Sequence, residues 1–176
     1  VDTAGIRRKA RITQATERYS VVRSIRAVER CHVAVIVIDA QEGVAEQDKR
    51  IAGLAHEAGK ASIIAVNKWD LVTKDSKTVN RFEKELREQL AFMTYAPVVY
   101  VSAITGQRIN KMVELINYVD EQAVKRLSTG ILNEYLEEIV MLNPPPSDSG
   151  KQVKFYYMTQ SGVRPPSFLV FTNRPQ

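Results

Sequence analysis

A chain of 176 residues can form one ordinary domain, or one compact domain with a smaller partner. Its apolar content of 44% and charged content of 26% are typical of a globular protein, and no apolar run reaches the roughly 18–20 residues that a membrane span needs. The single cysteine, Cys31, excludes an internal disulfide framework and favours a reducing, cytoplasmic location. The net charge is +5, and residues 1–30 account for all of it, so any electrostatic attraction for phosphate or RNA is concentrated at the front of the chain.

Helices and strands alternate through the first two thirds of the sequence. Apolar periodicity predicts helices over residues 17–30, 46–58, 79–90 and 109–127, and Gly59 is placed to end the second of them. Apolar runs predict strands at 33–38, 61–67 and 97–103, and the β-branched run 33–38 is typical of a strand buried on both faces. This alternation predicts an α/β fold with a parallel sheet.

The pattern changes near Ser128. Residues 129–142 have the spacing of another amphipathic helix, and the Pro/Gly-rich stretch 143–150 breaks it. Two β-type runs follow, at 151–160 and 167–173. We therefore expect one domain over residues 1–127 and the start of a second, thin domain over 128–176, which could hardly bury a core of its own.

Three loops of the first domain carry side chains that could bind a ligand. They are Asp2-Thr3-Ala4-Gly5, Asn67-Lys68-Trp69-Asp70 and Ser102-Ala103. Each loop follows a predicted strand or strand remnant, and ligands of open α/β sheets bind at the carboxyl ends of the strands. Each motif alone is weak or moderate evidence, since Asp-x-x-Gly is usually an ordinary turn. All three motifs, however, fall in order at strand-to-helix junctions of one sheet, and this favours a single nucleotide site.

The stretch "NKWD" suits guanine. A carboxylate at Asp70 can accept two parallel hydrogen bonds from the ring N–H and the exocyclic amine of guanine, whereas adenine would leave that carboxylate unpaired. The aliphatic stem of Lys68 could cover one face of the base while its ammonium stays in water. Asn67 could tie neighbouring loops together through its amide, and backbone N–H groups near Ser102 and Ala103 could donate to the guanine oxygen.

The stretch "DTAG" suits the phosphate end of a nucleotide. Asp2 would reach Mg²⁺ through a water, because Mg²⁺ usually keeps several of its waters. The amide of Gly5 could donate to a terminal phosphate, since glycine allows the backbone to approach closely. The segment that follows would then sense whether that phosphate is present.

Taken together, these motifs resemble the bacterial tandem-G-domain GTPases of the Der (EngA) family, in their second GTPase domain and the start of the following KH-like domain. The resemblance runs along essentially the whole chain. It rests on "DTAGIRRK", "ERYSVVRSIRAVER", "VIDAQEG", "NKWDL", "VSAITGQ" and the tail "NPPP…GKQVKFYYMTQSGVRPPSFLVFTN". The tail is its most family-specific part, because generic GTPases lack it.

The resemblance implies a partial P-loop-NTPase-type (TRAFAC GTPase-like) parallel sheet lacking its N-terminal strands, followed by a truncated α+β KH-like domain. It implies GTP hydrolysis to GDP as a conformational switch in assembly of the large ribosomal subunit, with that subunit or its rRNA as partner, and Mg²⁺ and a monovalent cation such as K⁺ as cofactors. By similarity the GTP-binding residues are Asp2, Thr3, Ala4, Gly5, Ile6, Asn67, Lys68, Asp70, Ser102 and Ala103, and Asp2 also faces Mg²⁺. Ile6 stands where Ras-like proteins carry a water-orienting glutamine, so the resemblance assigns no catalytic side chain.

Several features depart from the family pattern. The 176 residues hold no Gly-x-x-x-x-Gly-Lys-Ser/Thr, so we expect this fragment alone to be inactive as a GTPase. We also expect the strand at 33–38 to have an unpaired edge, filled by a second copy, a swapped element or further residues. Two alternatives stay open. One is a non-enzymatic module that binds rRNA or protein through the basic front helix with Arg23, Arg26 and Arg30, and the other is a different translation-associated GTPase.

Overall fold

The computed structural model describes residues 23–73, 75–145, 147–148 and 151–173, and the side chains of 23–73, 75–145 and 153–173. The chain divides into two compact units, Val1–Glu121 and Gln122–Gln176. The domain boundary expected between residues 127 and 128 stays a prediction.

The first unit alternates between strand and helix. Its helices are α1 (described from residue 23 to residue 30), α2 (Glu46–Glu57), α3 (Thr78–Gln89) and α4 (Ile109–Ala123), of which the last two residues fall in the second unit. Its strands are β1 (Val33–Asp39), β2 (Ala61–Asn67) and β3 (Val98–Tyr100), which pair in parallel in the order β1–β2–β3. The parallel α/β fold predicted from the sequence is confirmed.

Each face of this sheet is covered by its own layer of side chains. On one face Ile36, Ile64 and Val66 pack with buried residues from α1, α2 and α3. On the other face Ile63 and Val99 pack under the apolar side of α4. The central strand β2 lies between both layers, and its residues 62–66 are all buried, because a parallel strand with helices on both faces has no solvated side.

One expectation about β1 is wrong. Its even-numbered residues face the core, but Val33 and Val35 are only half-buried and Val37 is 57% exposed. The reason is that the layer under α4 extends to Val33 and Val35 without including Val37. Among the described residues β1 pairs with β2 alone, so the filling of its second edge by another copy, a swapped element or further residues stays a prediction.

The end of α2 follows the sequence prediction. Gly59 has φ +62°, which a glycine adopts at little cost. Its N–H donates to the carbonyl of His56 at 2.9 Å, and the N–H of Lys60 donates to the carbonyl of Ala55 at 2.9 Å. These two bonds are those of a Schellman motif, which satisfies the last carbonyls of the helix and turns the chain into β2.

The second unit contains a helix and an antiparallel hairpin. Helix α5 (Thr129–Leu142) begins after Ser128, whose hydroxyl accepts the N–H of Ile131 at 3.4 Å. A short antiparallel pair, β4 (Ser147–Asp148) and β5 (Lys151–Gln152), precedes the hairpin of β6 (Phe155–Val163) and β7 (Pro166–Thr172). Strand β6 extends past the predicted end at residue 160, because Val163 still pairs with Pro166 across the hairpin.

Candidate functional site

The carboxyl ends of the three parallel strands form one edge of the sheet. Asp39 is the register partner of Asn67, and Val66 is the register partner of Tyr100, so the loops after β1, β2 and β3 begin side by side. The predicted base-reading residues lie on the second and third of these loops. The predicted phosphate-side residues, Asp2, Thr3, Ala4, Gly5 and Ile6, lie outside the described residues.

Asn67 joins the second loop to the third. Its side-chain Oδ1 accepts the backbone N–H of Ala103 at 3.0 Å, across 36 positions of sequence. The tie that the sequence suggested for this amide is present. It fixes the start of the loop 67–70 against the start of the loop 102–103, as a site that reads one ligand with both loops requires.

Lys68 lies at the turn out of β2 in a left-handed backbone conformation, with φ 61° and ψ 31°. Such a conformation is uncommon for a residue with a side chain. Its ammonium Nζ makes an ion pair with the Oδ2 of Asp39 at 2.5 Å, and the side chain of Asp39 is only 4% exposed. The lysine head group is therefore held at the end of β1, next to the strand from which its backbone comes.

Asp70 occupies a single turn of 3₁₀ helix, Trp69–Leu71, and is half-buried. In the described part of the chain its carboxylate has no hydrogen bond or ion pair. A carboxylate that is half-shielded from water but has no partner is suited to accept two hydrogen bonds from a ligand.

Trp69 anchors this turn from below. Its side chain is 2% exposed, and its ring lies 4.4 Å from the ring of Tyr100 and 5.4 Å from that of Phe82 between centroids. Its backbone N–H donates to the carbonyl of Val101 at 3.0 Å. Burial raises the pKa of Tyr100 to about 12, with the charge of Glu83 as a lesser cause. Trp69 is a packing residue, and it fixes the height of Asp70 above the sheet.

Ser102 and Ala103 form the start of the third loop. The N–H of Ser102 donates to the carbonyl of Gln107 at 3.2 Å, and its buried hydroxyl accepts the N–H of Thr105 at 3.2 Å. The N–H of Ala103 is the one that Asn67 accepts. The N–H groups of Ser102 and Ala103 thus both have intramolecular acceptors in this structure. A guanine oxygen that bound the Ala103 N–H would share it with Asn67 in a three-centre bond.

The sequence reasoning missed Asp39. A carboxylate at the end of an apolar β-branched run is a signal that could have been noticed, but its connection to Lys68 depends on the register of β1 against β2.

No group of three or more His, Cys, Asp or Glu side chains able to hold a metal ion is found in the described ranges. Within the same ranges no helix is long and apolar enough to cross a membrane.

The basic face of α1 lies apart from these loops in sequence. Arg23, Arg26 and Arg30 are exposed, while Ser24 and Val28 on the other side of the helix are buried. The three guanidinium groups are therefore available to solvent, as an alternative RNA-binding role would need. The structure brings Asn67, Lys68, Asp70, Ser102 and Ala103 together and leaves this face as a separate feature.

The chain is similar in sequence to known GTP-binding proteins. The family described as "Elongation factor Tu GTP binding domain" matches residues 19–124, and the family described as "KH-domain-like of EngA bacterial GTPase enzymes, C-terminal" matches residues 126–176. Among curated proteins, GTPase Der of Desulforamulus reducens is 56% identical over the whole chain, and that of Moorella thermoacetica is 55% identical over the whole chain. The chain spans 40% of the length of each of these two relatives.

Solved structures share the fold at lower identity. A probable GTP-binding protein engB matches with a TM-score of 0.55 at 19% identity, over 68% of this chain and 76% of that one. Era in complex with MgGDPNP and nucleotides 1506–1542 of 16S ribosomal RNA matches with a TM-score of 0.52 at 18% identity, over 92% of this chain and 57% of that one.

The parallel sheet with its strand-end loops, followed by the KH-like region, defines part of a P-loop GTPase with a C-terminal KH-like domain. Within that class the chain belongs to the Der (EngA) family of bacterial GTPases.

Proposed function

We propose that the chain contains the guanine-reading half of a GTP-binding site, in a GTPase that hydrolyses GTP to GDP as a switch in assembly of the large ribosomal subunit. The observation that carries the guanine assignment is the half-buried carboxylate of Asp70, which has no partner in the described part of the chain and sits on a turn that Trp69 anchors. The membership of the Der family supports the reaction and the ribosomal role.

Recognition of the base follows from hydrogen-bond matching. Guanine presents its ring N–H and its exocyclic amine along one edge, and the two oxygens of Asp70 can accept both. Adenine presents an acceptor at the ring position and no amine, so it would leave the carboxylate unpaired at a cost of roughly 1–3 kcal/mol or more. The stem of Lys68 would lie over one face of the base, and the shared N–H of Ala103 would meet the guanine oxygen.

The phosphate side of the site is proposed on the resemblance alone. Asp2 would hold Mg²⁺ through a water, and Gly5 would donate its amide to the terminal phosphate beside Thr3, Ala4 and Ile6. Bound Mg²⁺ would neutralise charge on the phosphates, and a monovalent cation would assist it. Because the 176 residues contain no phosphate-loop motif, we expect residues 1–176 alone to show no sustained GTP turnover.

The ribosomal partner is part of the same proposal. The resemblance to the Der family is what supports it. On that basis the large ribosomal subunit or its rRNA is the partner proposed for the whole protein, and a cytoplasmic location fits that partner.

The experiment is an Asp70→Asn exchange in the intact protein that contains this chain. The affinities for guanine and xanthine nucleotides are measured side by side by competition with a fluorescent nucleotide analogue. The exchange replaces one acceptor oxygen by a donor, so we expect guanine affinity to fall and xanthine affinity to rise, because xanthine carries a carbonyl where guanine carries its amine. Glu114→Gln, at an exposed carboxylate on α4, is the matched control and should leave both affinities unchanged. Unaltered preference for guanine in the Asp70→Asn protein would sink the assignment.

The exposure of the three α1 arginines supports one competing function, a non-enzymatic module that binds rRNA. Such a module would bind RNA with a steep dependence on salt concentration, because each neutralised phosphate releases counterions. Replacing Arg23, Arg26 and Arg30 by glutamine would then abolish RNA binding, whereas Asp70→Asn would leave it intact. The GTPase proposal expects instead that Asp70→Asn changes nucleotide binding and that the three arginine substitutions leave it intact.

A further inference from the structure

The ion pair between Asp39 and Lys68 joins two neighbouring strand ends at the proposed nucleotide site. Asp39 is the last residue of β1 and is the register partner of Asn67, the last residue of β2. Adjacent strands lie about 4.8 Å apart. The backbone of Lys68 leaves the end of β2, and its ammonium is held at the end of β1, so its four-carbon stem spans the gap between the two strands.

A freely rotating lysine on this turn would not keep that position. The side chain of Lys68 is 34% exposed and has a large rotamer freedom to lose. The carboxylate of Asp39 is 4% exposed, so the pair forms where water screens it little. The ion pair therefore selects one placement of the stem before any ligand arrives.

We propose that Asp39 is a positioning residue for guanine-nucleotide binding, acting through Lys68. It fixes the ammonium so that the stem is already laid out where the proposed function places one face of the base. Preorganisation of this kind raises affinity by removing the ordering cost from the binding step. The inference rests on the proposed function, because it presumes that a guanine base lies against Lys68.

A purely structural role for Asp39 is the competing explanation. Its other oxygen, Oδ1, accepts the backbone N–H of Gln41 at 3.0 Å and so also supports the turn after β1. Asp39→Asn separates the two roles. The asparagine keeps an oxygen able to accept from Gln41, but it loses the negative charge that holds the ammonium of Lys68.

The test uses a double-mutant cycle in the intact protein. Dissociation of a fluorescent GDP analogue is followed by stopped flow for the wild type, Asp39→Asn, Lys68→Met and the double variant. Ordering one flexible side chain on binding costs about 0.5–1.5 kcal/mol, so we expect Asp39→Asn to speed dissociation roughly two- to twelvefold. In the Lys68→Met background the same exchange should change the rate by less than about twofold, because the ammonium on which Asp39 acts is gone. Glu46→Gln, which breaks the exposed ion pair with Lys49, is the control and should leave the rate unchanged.

Thermal unfolding of the same four proteins gives a second readout. Lys68→Met leaves a buried carboxylate without its cation and should lower the melting temperature, and adding Asp39→Asn should restore part of the loss. If Asp39→Asn speeds dissociation equally with and without Lys68, or not at all, the inference is wrong. If the wild-type protein shows no preference for guanine nucleotides, the proposed function fails instead, so the two failures are distinguishable.

Discussion

The hydrogen bond between Asn67 and Ala103 yields a prediction whose size can be worked out. Asn67→Ala removes the acceptor of the Ala103 N–H, which it holds at 3.0 Å. A neutral hydrogen bond contributes about 0.5–1.5 kcal/mol net. Ala103 is exposed, so water can take over the released N–H, and we place the loss in the lower part of this range, at about 0.5–1 kcal/mol.

Amide hydrogen exchange at Ala103 measures that loss directly. A change of about 0.5–1 kcal/mol corresponds to about two- to fivefold faster exchange if local opening limits it. Amides in the middle of β2 should keep their wild-type rates. Asn117→Ala is the matched control, because Asn117 is exposed on α4 and the substitution removes a side-chain amide of the same size from a helix surface.

The same variant separates two roles for Asn67 in nucleotide binding. If the side chain only keeps the two loops together, the apparent affinity falls in proportion to the fraction of molecules that keep this arrangement, so by at most about two- to fivefold. A much larger loss of guanine-nucleotide affinity would mean that Asn67 also contacts the base. Unchanged exchange at Ala103 together with unchanged affinity would refute the reasoning.

Three further predictions concern stability. The pKa of Asp75 is lowered from 3.8, first by its hydrogen bond with the hydroxyl of Thr78. The ionised carboxylate therefore stabilises the fold above its ordinary pKa, and this stability is lost as the pH falls through the lowered value. Asp75→Asn should reduce the fall in melting temperature on acidification, as measured by melting curves at a series of pH values. The guanidinium of Arg87 donates to three carbonyls of the turn before β3, so Arg87→Met should lower the free energy of unfolding by about 1–3 kcal/mol in denaturant titrations, whereas an unchanged midpoint would show that water replaces these bonds. The amide of Asn133 bonds both the N–H and the carbonyl of Met158, so Asn133→Ala should speed hydrogen exchange at Met158 while leaving β2 unaffected.

The sequence was sufficient where one local rule decides the structure. Gly59 ends α2 because its left-handed conformation excludes most other residues. Helix α5 spans residues 129–142 as the apolar spacing predicted, and the hydroxyl of Ser128 accepts an orphan N–H of its first turn. Strand β2 is buried on both faces as its apolar run indicated, since helices cover both sides of the sheet centre.

The sequence was insufficient where the outcome depends on how far another element reaches. The run 33–38 has the same β-branched character as a central strand, yet Val37 is exposed because the layer under α4 does not include it. The extension of β6 to Val163 likewise depends on the length of β7, which residue preferences alone do not determine. In both cases the residue composition correctly predicted a strand, but it did not show how far the neighbouring element extends along that strand.

The candidate site shows the same division. Residue types and spacing were enough to predict a role for Asn67 and Asp70, because an amide and a carboxylate after a buried strand are chemically informative without any structure. They did not show that the N–H of Ala103 already has an acceptor, or that Asp39 holds Lys68. Those facts follow from the register of three strands, which no local pattern encodes.

The two carboxylates at this edge of the sheet have opposite environments, and the difference assigns their roles. Asp39 is 4% exposed and is engaged by the ammonium of Lys68 and the N–H of Gln41, so a base would have to displace existing bonds to reach it. Asp70 is half-buried and has no partner in the described part of the chain, so binding guanine would exchange only water. A carboxylate selected for recognition should be the one whose bonds are left for the ligand, because interactions that must first be broken reduce affinity by their own strength. In the proposed function, one acid holds the lysine and the other reads the base. Substituting Asp39 should therefore weaken the binding of all purine nucleotides alike, whereas substituting Asp70 should change which purine is preferred.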